Sequence, residues 1–318
     1  MAERRPRGPA AAGEPRVTKA RTGSGQGEGL GRLRTMVRRV REAVGSGSRD
    51  PEAVRYERLS RVVGRIRGWC HPVTVPVWDG VLGYQRRSGV RGHLLEIGVL
   101  KGKSAALLAA HVDPETERLF LVDPSMDVGA VRRTLRRVRP AADRALVFLQ
   151  EKSHEVLAGE AGASRGRFRW IHIDGDHSAA CVLEDLAAAN DLLSPDGVVV
   201  LDDFFVIDFP HLTEATFRYL AQHPTHFSLF LVGGRKGYLA RPGAAPHYRY
   251  YCLHSLIADL EARGVEMTLR KPGRPGELDC FALLVRQVPG QRVRGLDTTP
   301  DVIHTEAWPF PGRDAPPE

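Results

Sequence analysis

Short apolar segments alternate with helical stretches through the middle of the chain, and this alternation restricts the possible folds more than any other feature. Helical patterns such as 104–111 and 179–193 lie between the apolar segments. Strands are predicted at 94–97, 119–122, 145–149, 170–173 and 198–201, with weaker patterns at 227–231, 236–239 and 281–286. This order is typical of an α/β protein in which helices cover both faces of a parallel sheet.

The alternating region is flanked by segments of different composition. Residues 1–50 predict a basic, mostly disordered extension with one short amphipathic helix, and residues 51–90 predict a helical lead-in. We assign residues 91–290 to the α/β domain and residues 291–318 to a proline-rich C-terminal tail.

Most of the net charge of +8 belongs to the N-terminal extension. Residues 1–50 contain twelve Lys or Arg and five Asp or Glu, a net charge of +7, so the rest of the chain carries only +1. A nearly neutral domain gives no reason to expect nucleic acid as its partner. No apolar run reaches the ~20 residues of a membrane span. Four scattered cysteines predict reduced thiols, so we expect a cytoplasmic protein without a transmembrane segment.

The first strand leads into a glycine turn and a helix. Gly98 permits a sharp turn, Gly102 permits close approach of a ligand to the backbone, and the helix start at Ser104 offers free amides. A P-loop needs four residues between its glycines, where this loop has three, and Leu100 stands where a dinucleotide loop needs glycine. The pattern Glu96-x-Gly-x-x-x-Gly-x-Ser resembles the first motif of class I methyltransferases, in the form found in metal-dependent O-methyltransferases of the catechol type.

Two positions on the next strands complete the predicted nucleoside site. Asp123 ends the second strand, where a carboxylate can accept hydrogen bonds from both hydroxyls of a ribose. Ser153 follows the third strand, at the position where class I methyltransferases flank the adenine. Ser153 also suits the N-cap of a helix, and the sequence leaves both roles open.

Carboxylates are concentrated at the ends of the fourth and fifth strands. Asp174 follows the fourth strand, and Asp202 and Asp203 follow the fifth. Neighbouring parallel strands end at the same edge of a sheet, so these three side chains are expected to converge. Close, unpaired carboxylates repel one another unless a cation neutralises them. We therefore predict a site of oxygen ligands for Mg²⁺, with Mn²⁺ or Ca²⁺ as alternatives. Turn-forming and capping roles are the competing interpretation.

Two histidines accompany these carboxylates. His177 lies three residues after Asp174, where a neutral imidazole could remove the proton of a metal-bound acceptor hydroxyl. A surface histidine or a fourth metal contact is the alternative interpretation of His177. His172 is predicted to point into the helix–sheet packing or to cap a backbone group.

From Glu96 to about Leu239 the sequence resembles the class I S-adenosylmethionine (SAM)-dependent methyltransferases of small molecules, which include the macrocin-type sugar O-methyltransferases. The matching features are the glycine motif, the aspartate after the second strand, the runs 173–178 and 202–204, the Pro-Asp-Gly turn at 195–197 and the glycine-lysine segment 233–239. The resemblance implies an α/β, Rossmann-like, doubly wound, mostly parallel seven-stranded sheet with helices on both faces.

The same resemblance assigns roles to individual residues. It implies that SAM is bound by Glu96, Gly98, Gly102, Ser104, Asp123, Ser153 and Asp174. It implies a Mg²⁺ or Mn²⁺ ion on Asp174, Asp202 and Asp203, and catalytic roles for His177 and Asp174.

The predicted reaction is therefore methyl transfer from SAM to a hydroxyl group of a small molecule, with a natural-product sugar among the candidate acceptors. A homo-oligomer is compatible with such an enzyme. Three other classes stay open at this point. They are a metal-independent methyltransferase of the same fold, a P-loop-like nucleotide-binding protein, and a binding protein that acts through its basic N-terminus.

Overall fold

The computed structural model describes residues 51–156, 159–271 and 279–285 of the 318-residue chain. The predictions for the extension 1–50 and for the tail 291–318 lie outside these residues. Among the residues described, no helix is both long enough and apolar enough to cross a membrane.

One mixed sheet organises the described part of the chain. Its nine strands are β1 (His93–Ile97), β2 (Leu119–Val122), β3 (Leu146–Leu149), β4 (Phe168–Ile173), β5 (Leu193–Leu201), β6 (Ser228–Gly233), β7 (Lys236–Ala240), β8 (Met267–Arg270) and β9 (Phe281–Val285). Their order across the sheet is β3-β2-β1-β4-β5-β7-β6-β9-β8. Strands β1 to β5 pair in parallel, whereas β7 is antiparallel to both β5 and β6.

Helices cover both faces of this sheet. They are α1 (Pro51–Val63), α2 (Thr74–Arg87), α3 (Lys103–His111), α4 (Val128–Val138), α5 (Ala179–Leu192), α6 (Pro210–Gln222), α7 (Ala245–Tyr251) and α8 (Ile257–Ala262), with a π-helical segment at Cys252–Leu256 between the last two. Side chains alternate along each strand, so each face has its own apolar core. Leu94 and Trp170 belong to the core beneath α1–α4, α7 and α8, whereas Leu95 and Ile171 belong to the core beneath α5 and α6.

The predicted fold class is confirmed. The seven expected strands occupy the order β3-β2-β1-β4-β5-β7-β6, and β9 and β8 extend the sheet beyond β6. The pattern at 281–286 corresponds to β9, but the four-residue strand β8 was not predicted. Strand β5 begins earlier than predicted, since Leu193 already pairs with Phe168 directly after α5.

The order of the strands reverses between β1 and β4. Strands β2 and β3 lie on one side of this boundary, and β5 lies on the other. In an open α/β sheet such a boundary leaves a crevice at the carboxyl ends of the strands, where ligands bind. The fold therefore brings the predicted site residues after β1, β2, β4 and β5 to one edge.

A buried ion pair stabilises the opposite edge. Arg169, at the start of β4, donates two hydrogen bonds to the Glu117 carboxylate, at 2.8 and 2.9 Å. It donates two more, to the side chain of Gln85 at 3.0 Å and to the carbonyl of His111 at 3.0 Å. Both charged side chains are almost completely excluded from solvent, at 3% and 2% exposure. This network joins α2, α3 and β4 at the end of the strands that lies opposite the crevice.

Candidate active site

The glycine turn packs directly on the end of β4. Gly98 has a φ of +87°, and a Cβ atom at this position would overlap the carbonyl group of Asp174. Gly102 has a φ of +76° and forms the N-cap of α3. Between them Leu100 also adopts a positive φ, +49°, and its side chain is 59% exposed. Glycine is therefore required at 98 by both conformation and space.

Asp123 holds this loop in place. Its Oδ2 accepts hydrogen bonds from the backbone amides of Val99, at 3.1 Å, and Leu100, at 2.8 Å. Its Oδ1 accepts one from the amide of Ser125, at 2.7 Å. The predicted proximity of Asp123 to the glycine turn is thus observed, while its contact with a ribose stays a prediction. A phosphate cradle needs loop amides that are free, and two of them are already bound to a carboxylate here.

The other predicted cofactor residues occupy less accessible positions. Glu96 is completely buried, and its Oε1 lies 3.2 Å from Nδ1 of His172, while its Oε2 has no hydrogen-bond partner in the described structure. Ser104 is buried in the first turn of α3. Ser153 begins a short 3-10 helix whose N-cap is Lys152. The cofactor roles of Glu96, Ser104 and Ser153 stay predictions.

Asp174 and Asp202 meet between the ends of β4 and β5. Both side chains line a small cavity of about 20 Å³, and His177 lines it too. Burial, followed by the neighbouring Asp202 carboxylate, raises the pKa of Asp174 to about 9. This close pair of carboxylates was predicted from the sequence, and the electrostatic consequence is the one expected for carboxylates that share too little positive charge.

Lys236 supplies positive charge to one member of this pair. Its Nζ lies 2.5 Å from Oδ2 of Asp202 and 3.3 Å from Nε2 of His172, and its side chain is only 2% exposed. Burial opposes ionisation of Asp202, but Lys236 and His172 outweigh it and hold the pKa of Asp202 below its usual range. The ammonium group also lies 5.4 Å from the ring of Trp78.

From the sequence, Lys236 belongs to the glycine-lysine segment 233–239 that resembles methyltransferases, but no role was predicted for it. A lysine at the first residue of a strand is usually solvated, whereas Lys236 is buried near the ring of Trp78 of α2. His172 is placed as predicted within the helix–sheet packing, with its ring edge-on to Trp78 at 4.6 Å. Its imidazole also lies beside the acidic pair, because ligand atoms of His172, Asp174 and Asp202 all fall within 4.8 Å of one another.

Asp203 points to a different set of partners. Its Oδ2 lies 3.1 Å from Nε2 of His177, and its Oδ1 accepts a hydrogen bond from Nη2 of Arg235 at 2.8 Å. Its φ of +49° turns the side chain away from Asp202. The described structure therefore groups His172, rather than Asp203, with Asp174 and Asp202. The metal role of Asp203 stays a prediction, because its carboxylate would first have to give up its contacts with His177 and Arg235.

His177 has an oxygen acceptor at each ring nitrogen. Nδ1 lies 3.0 Å from the carbonyl of Gly175, and Nε2 faces Asp203. Both ring nitrogens therefore have protein oxygens as neighbours, and the base role of His177 stays a prediction.

The residues at the crevice fit a divalent cation in part. Asp174 and Asp202 lie at a cavity with room for one water-sized species, which Asp176 also lines, and burial together with the Asp202 carboxylate raises the pKa of Asp174. Lys236 already neutralises Asp202, so a cation would share this carboxylate with an ammonium group. Carboxylates also suit the positively charged sulfonium and ammonium groups of SAM.

Comparison with known proteins agrees with this geometry. Residues 95–204 match the family model of a methyltransferase domain, which spans the glycine turn, Asp123 and the acidic pair. No curated protein sequence matches the chain. The part of the chain that contains the crevice, the glycine turn and the acidic pair is therefore similar to a methyltransferase domain.

Solved structures that resemble the chain include methyltransferases. One is CalS11, a TDP-rhamnose 3'-O-methyltransferase of calicheamicin biosynthesis, with 18% identity and a TM-score of 0.42 over 62% of this chain and 97% of that one. The O-methyltransferase NovP has 15% identity and a TM-score of 0.44 over 60% of this chain and 97% of its own. MycE of the mycinamycin pathway was solved with Mg, S-adenosylhomocysteine (SAH) and mycinamycin VI. It has 19% identity and a TM-score of 0.44 over 70% of this chain and 64% of its own.

Proposed function

We propose that the protein transfers the methyl group of SAM to a hydroxyl oxygen of a small molecule, and that a divalent cation held by Asp174 and Asp202 assists the transfer. One observation carries this proposal: Asp174 and Asp202 lie together at one cavity, which Asp176 also lines, and Lys236 pairs only with Asp202 among the three. A cation beside Asp174 would offset the burial and the Asp202 charge that together raise the pKa of Asp174.

The reaction needs alignment and a nucleophilic oxygen. The acceptor oxygen attacks the methyl carbon, the bond from that carbon to the sulfur breaks, and SAH leaves with the electron pair. Holding the two reactants in line can be equivalent to an effective molarity of ~10⁵–10⁸ M. The loop held by Asp123 positions the cofactor, and His177 is the candidate acceptor of the hydroxyl proton. A cation bound at the acidic pair would lower the pKa of the acceptor hydroxyl.

Apolar side chains beside the crevice favour an acceptor with an apolar portion. Phe205 and Ile207 follow the acidic pair on the loop after β5 and are 63% and 92% exposed. Trp69 is 81% exposed and follows Gly68, whose carbonyl accepts a hydrogen bond from Nζ of Lys103, the first residue of α3, at 3.0 Å. A glycosylated natural product has both hydroxyl groups and apolar surface, so it is one acceptor class that suits this entrance.

A second candidate is a methyltransferase that works without a metal. The observation that favours it is the 2.5 Å contact between Lys236 and Asp202, which already gives the pocket an internal cation. In this form Lys236 would replace the metal in neutralising the acidic pair.

Chelation distinguishes the two forms. With a panel of hydroxyl compounds and mass-spectrometric detection of the methylated product, EDTA is expected to reduce turnover by at least about tenfold, and Mg²⁺ to restore it. Asp202→Asn is expected to lower turnover by about 100-fold or more, while the affinity for SAH stays within about tenfold because the metal serves the acceptor.

Asp208→Asn is the matched control, because Asp208 is an exposed carboxylate on the same loop. It should retain the turnover of the unmodified protein. Full turnover of the unmodified protein and of Asp202→Asn in EDTA would reject the metal and favour the Lys236 form.

A further inference from the structure

An open cleft of about 540 Å³ lies between the end of α1 and the outer side of α4. Its floor contains apolar groups such as Ile66, Ala130 and Val131, and Leu100 of the glycine turn borders it. Four cationic side chains line it: Arg65, Arg67, Lys101 and Arg137. We call it the basic cleft. Its volume lies within the range of small-molecule sites, about 300–1,000 Å³.

The cations of the basic cleft are available to a ligand. Within residues 51–156, 159–271 and 279–285, none of the four forms an ion pair, and all four are exposed. Asp127 is the one carboxylate among the lining residues, and its Oδ1 already accepts a hydrogen bond from the amide of Ala130 at 2.9 Å as the N-cap of α4. The lining residues therefore carry a surplus of three positive charges in a concave, partly apolar site.

We propose that the basic cleft binds an organic phosphate, with the phosphate on the cationic rim and the organic body on the apolar floor. Three of the four cations are arginines, whose planar guanidinium groups bind phosphate oxygens in pairs. The apolar floor adds affinity for a carbon-containing body that an inorganic ion lacks.

Other occupants fit this cleft less well. SAM carries a sulfonium and an ammonium group against one carboxylate, so the four cations repel it. A nucleic acid would use aromatic side chains to stack its bases, and the residues that line the cleft include none.

The basic cleft is separate from the acidic pair but adjoins the cofactor loop. Leu100 and Lys101 line the cleft, and the amide of Leu100 is bound on its other side by Asp123. A Cβ atom at Gly102 would lie 3.1 Å from Val131 of the cleft floor. A ligand in the cleft therefore contacts the outside of the loop.

Calorimetric titration with phenyl phosphate tests the proposal. We expect phenyl phosphate to bind several-fold more tightly than inorganic phosphate, because only the former reaches the apolar floor. Arg65→Gln and Arg137→Gln should each weaken the binding of phenyl phosphate by about fivefold or more. Ala130→Leu should also weaken this binding, because the larger side chain fills the apolar floor without changing the charge.

Two variants of similar chemistry make the test specific. Arg133→Gln removes an exposed arginine of α4 that does not line the cleft, and it should change the affinity by less than about twofold. Asp127→Asn keeps a residue that caps helices well while removing the opposing charge, so it should tighten phenyl phosphate binding.

Four results would overturn the proposal. One is equal loss of affinity in Arg133→Gln and Arg137→Gln, which would indicate unspecific surface charge. Another is displacement of phenyl phosphate by SAH, which would place the cleft in the cofactor site. A third is tighter binding of a single-stranded oligouridylate than of phenyl phosphate, which would indicate a nucleic-acid surface. The fourth is no measurable binding by the unmodified protein. SAH affinity and methyl transfer are measured separately, so this inference can fail without affecting the proposed function.

Discussion

Gly98→Ala is expected to abolish SAH binding and to lower the free energy of unfolding by about 3–5 kcal/mol. Two costs combine at this residue. A side chain at a φ of +87° costs roughly 1–2 kcal/mol. The added Cβ atom also overlaps the carbonyl group of Asp174, so the ends of β1 and β4 must separate. Separation moves the loop amides that Asp123 binds, and with them the predicted cofactor site.

Gly89→Ala is the control that isolates the steric part. Gly89 has a φ of +75°, and a Cβ atom there meets nothing within 4 Å. This variant should lose only about 1–2 kcal/mol and bind SAH normally. Chemical denaturation and calorimetric titration of both variants measure the two quantities. Equal losses of unfolding free energy and of SAH affinity in the two variants would show that the close contact between Gly98 and Asp174 affects neither stability nor SAH binding.

Arg169→Met is expected to lower the free energy of unfolding by about 3–5 kcal/mol. Methionine has a similar volume but leaves the Glu117 carboxylate buried without its cation, at 2% exposure. The carbonyl of His111 and the side chain of Gln85 lose donors as well. For a domain of this size, the melting temperature should fall by roughly 6–20 °C.

The effect should be confined to stability. Arg169 lies at the start of β4, opposite the crevice, so the folded variant should bind SAH with unchanged affinity at low temperature. Arg167→Met removes an exposed arginine two residues earlier and should cost less than about 0.5 kcal/mol. A comparable melting temperature for the two variants would mean that the buried network contributes little.

The parallel half of the sheet could be predicted because each of its strands is an apolar run that ends in turn-forming residues. Asp123 and Asp174 could be placed on one edge from chain order alone, since parallel strands share their carboxyl ends. Strand β8 could not be predicted, because it is short and joins the sheet only through β9, which itself pairs with β6. That pairing depends on contacts between segments distant in sequence.

The surroundings of Asp203 and Lys236 could not be predicted from the sequence. Asp202 and Asp203 are neighbours, yet the left-handed backbone at Asp203 directs its carboxylate to His177 and Arg235. Burial of Lys236 beside Asp202 was equally hidden, because it depends on how Trp78 of α2 packs against β7. Chain order therefore predicts which residues reach the crevice, and packing decides which of them interact.

Titration with Mn²⁺, followed by electron paramagnetic resonance of the SAH-bound protein, tests the cation pocket most directly and needs no acceptor. We expect one Mn²⁺ ion to bind each chain of the unmodified protein. Asp202→Asn should weaken that binding by about 100-fold or more while SAH binds as before. No bound Mn²⁺ in the unmodified protein, or equal binding in the variant, would contradict a cation held by Asp174 and Asp202.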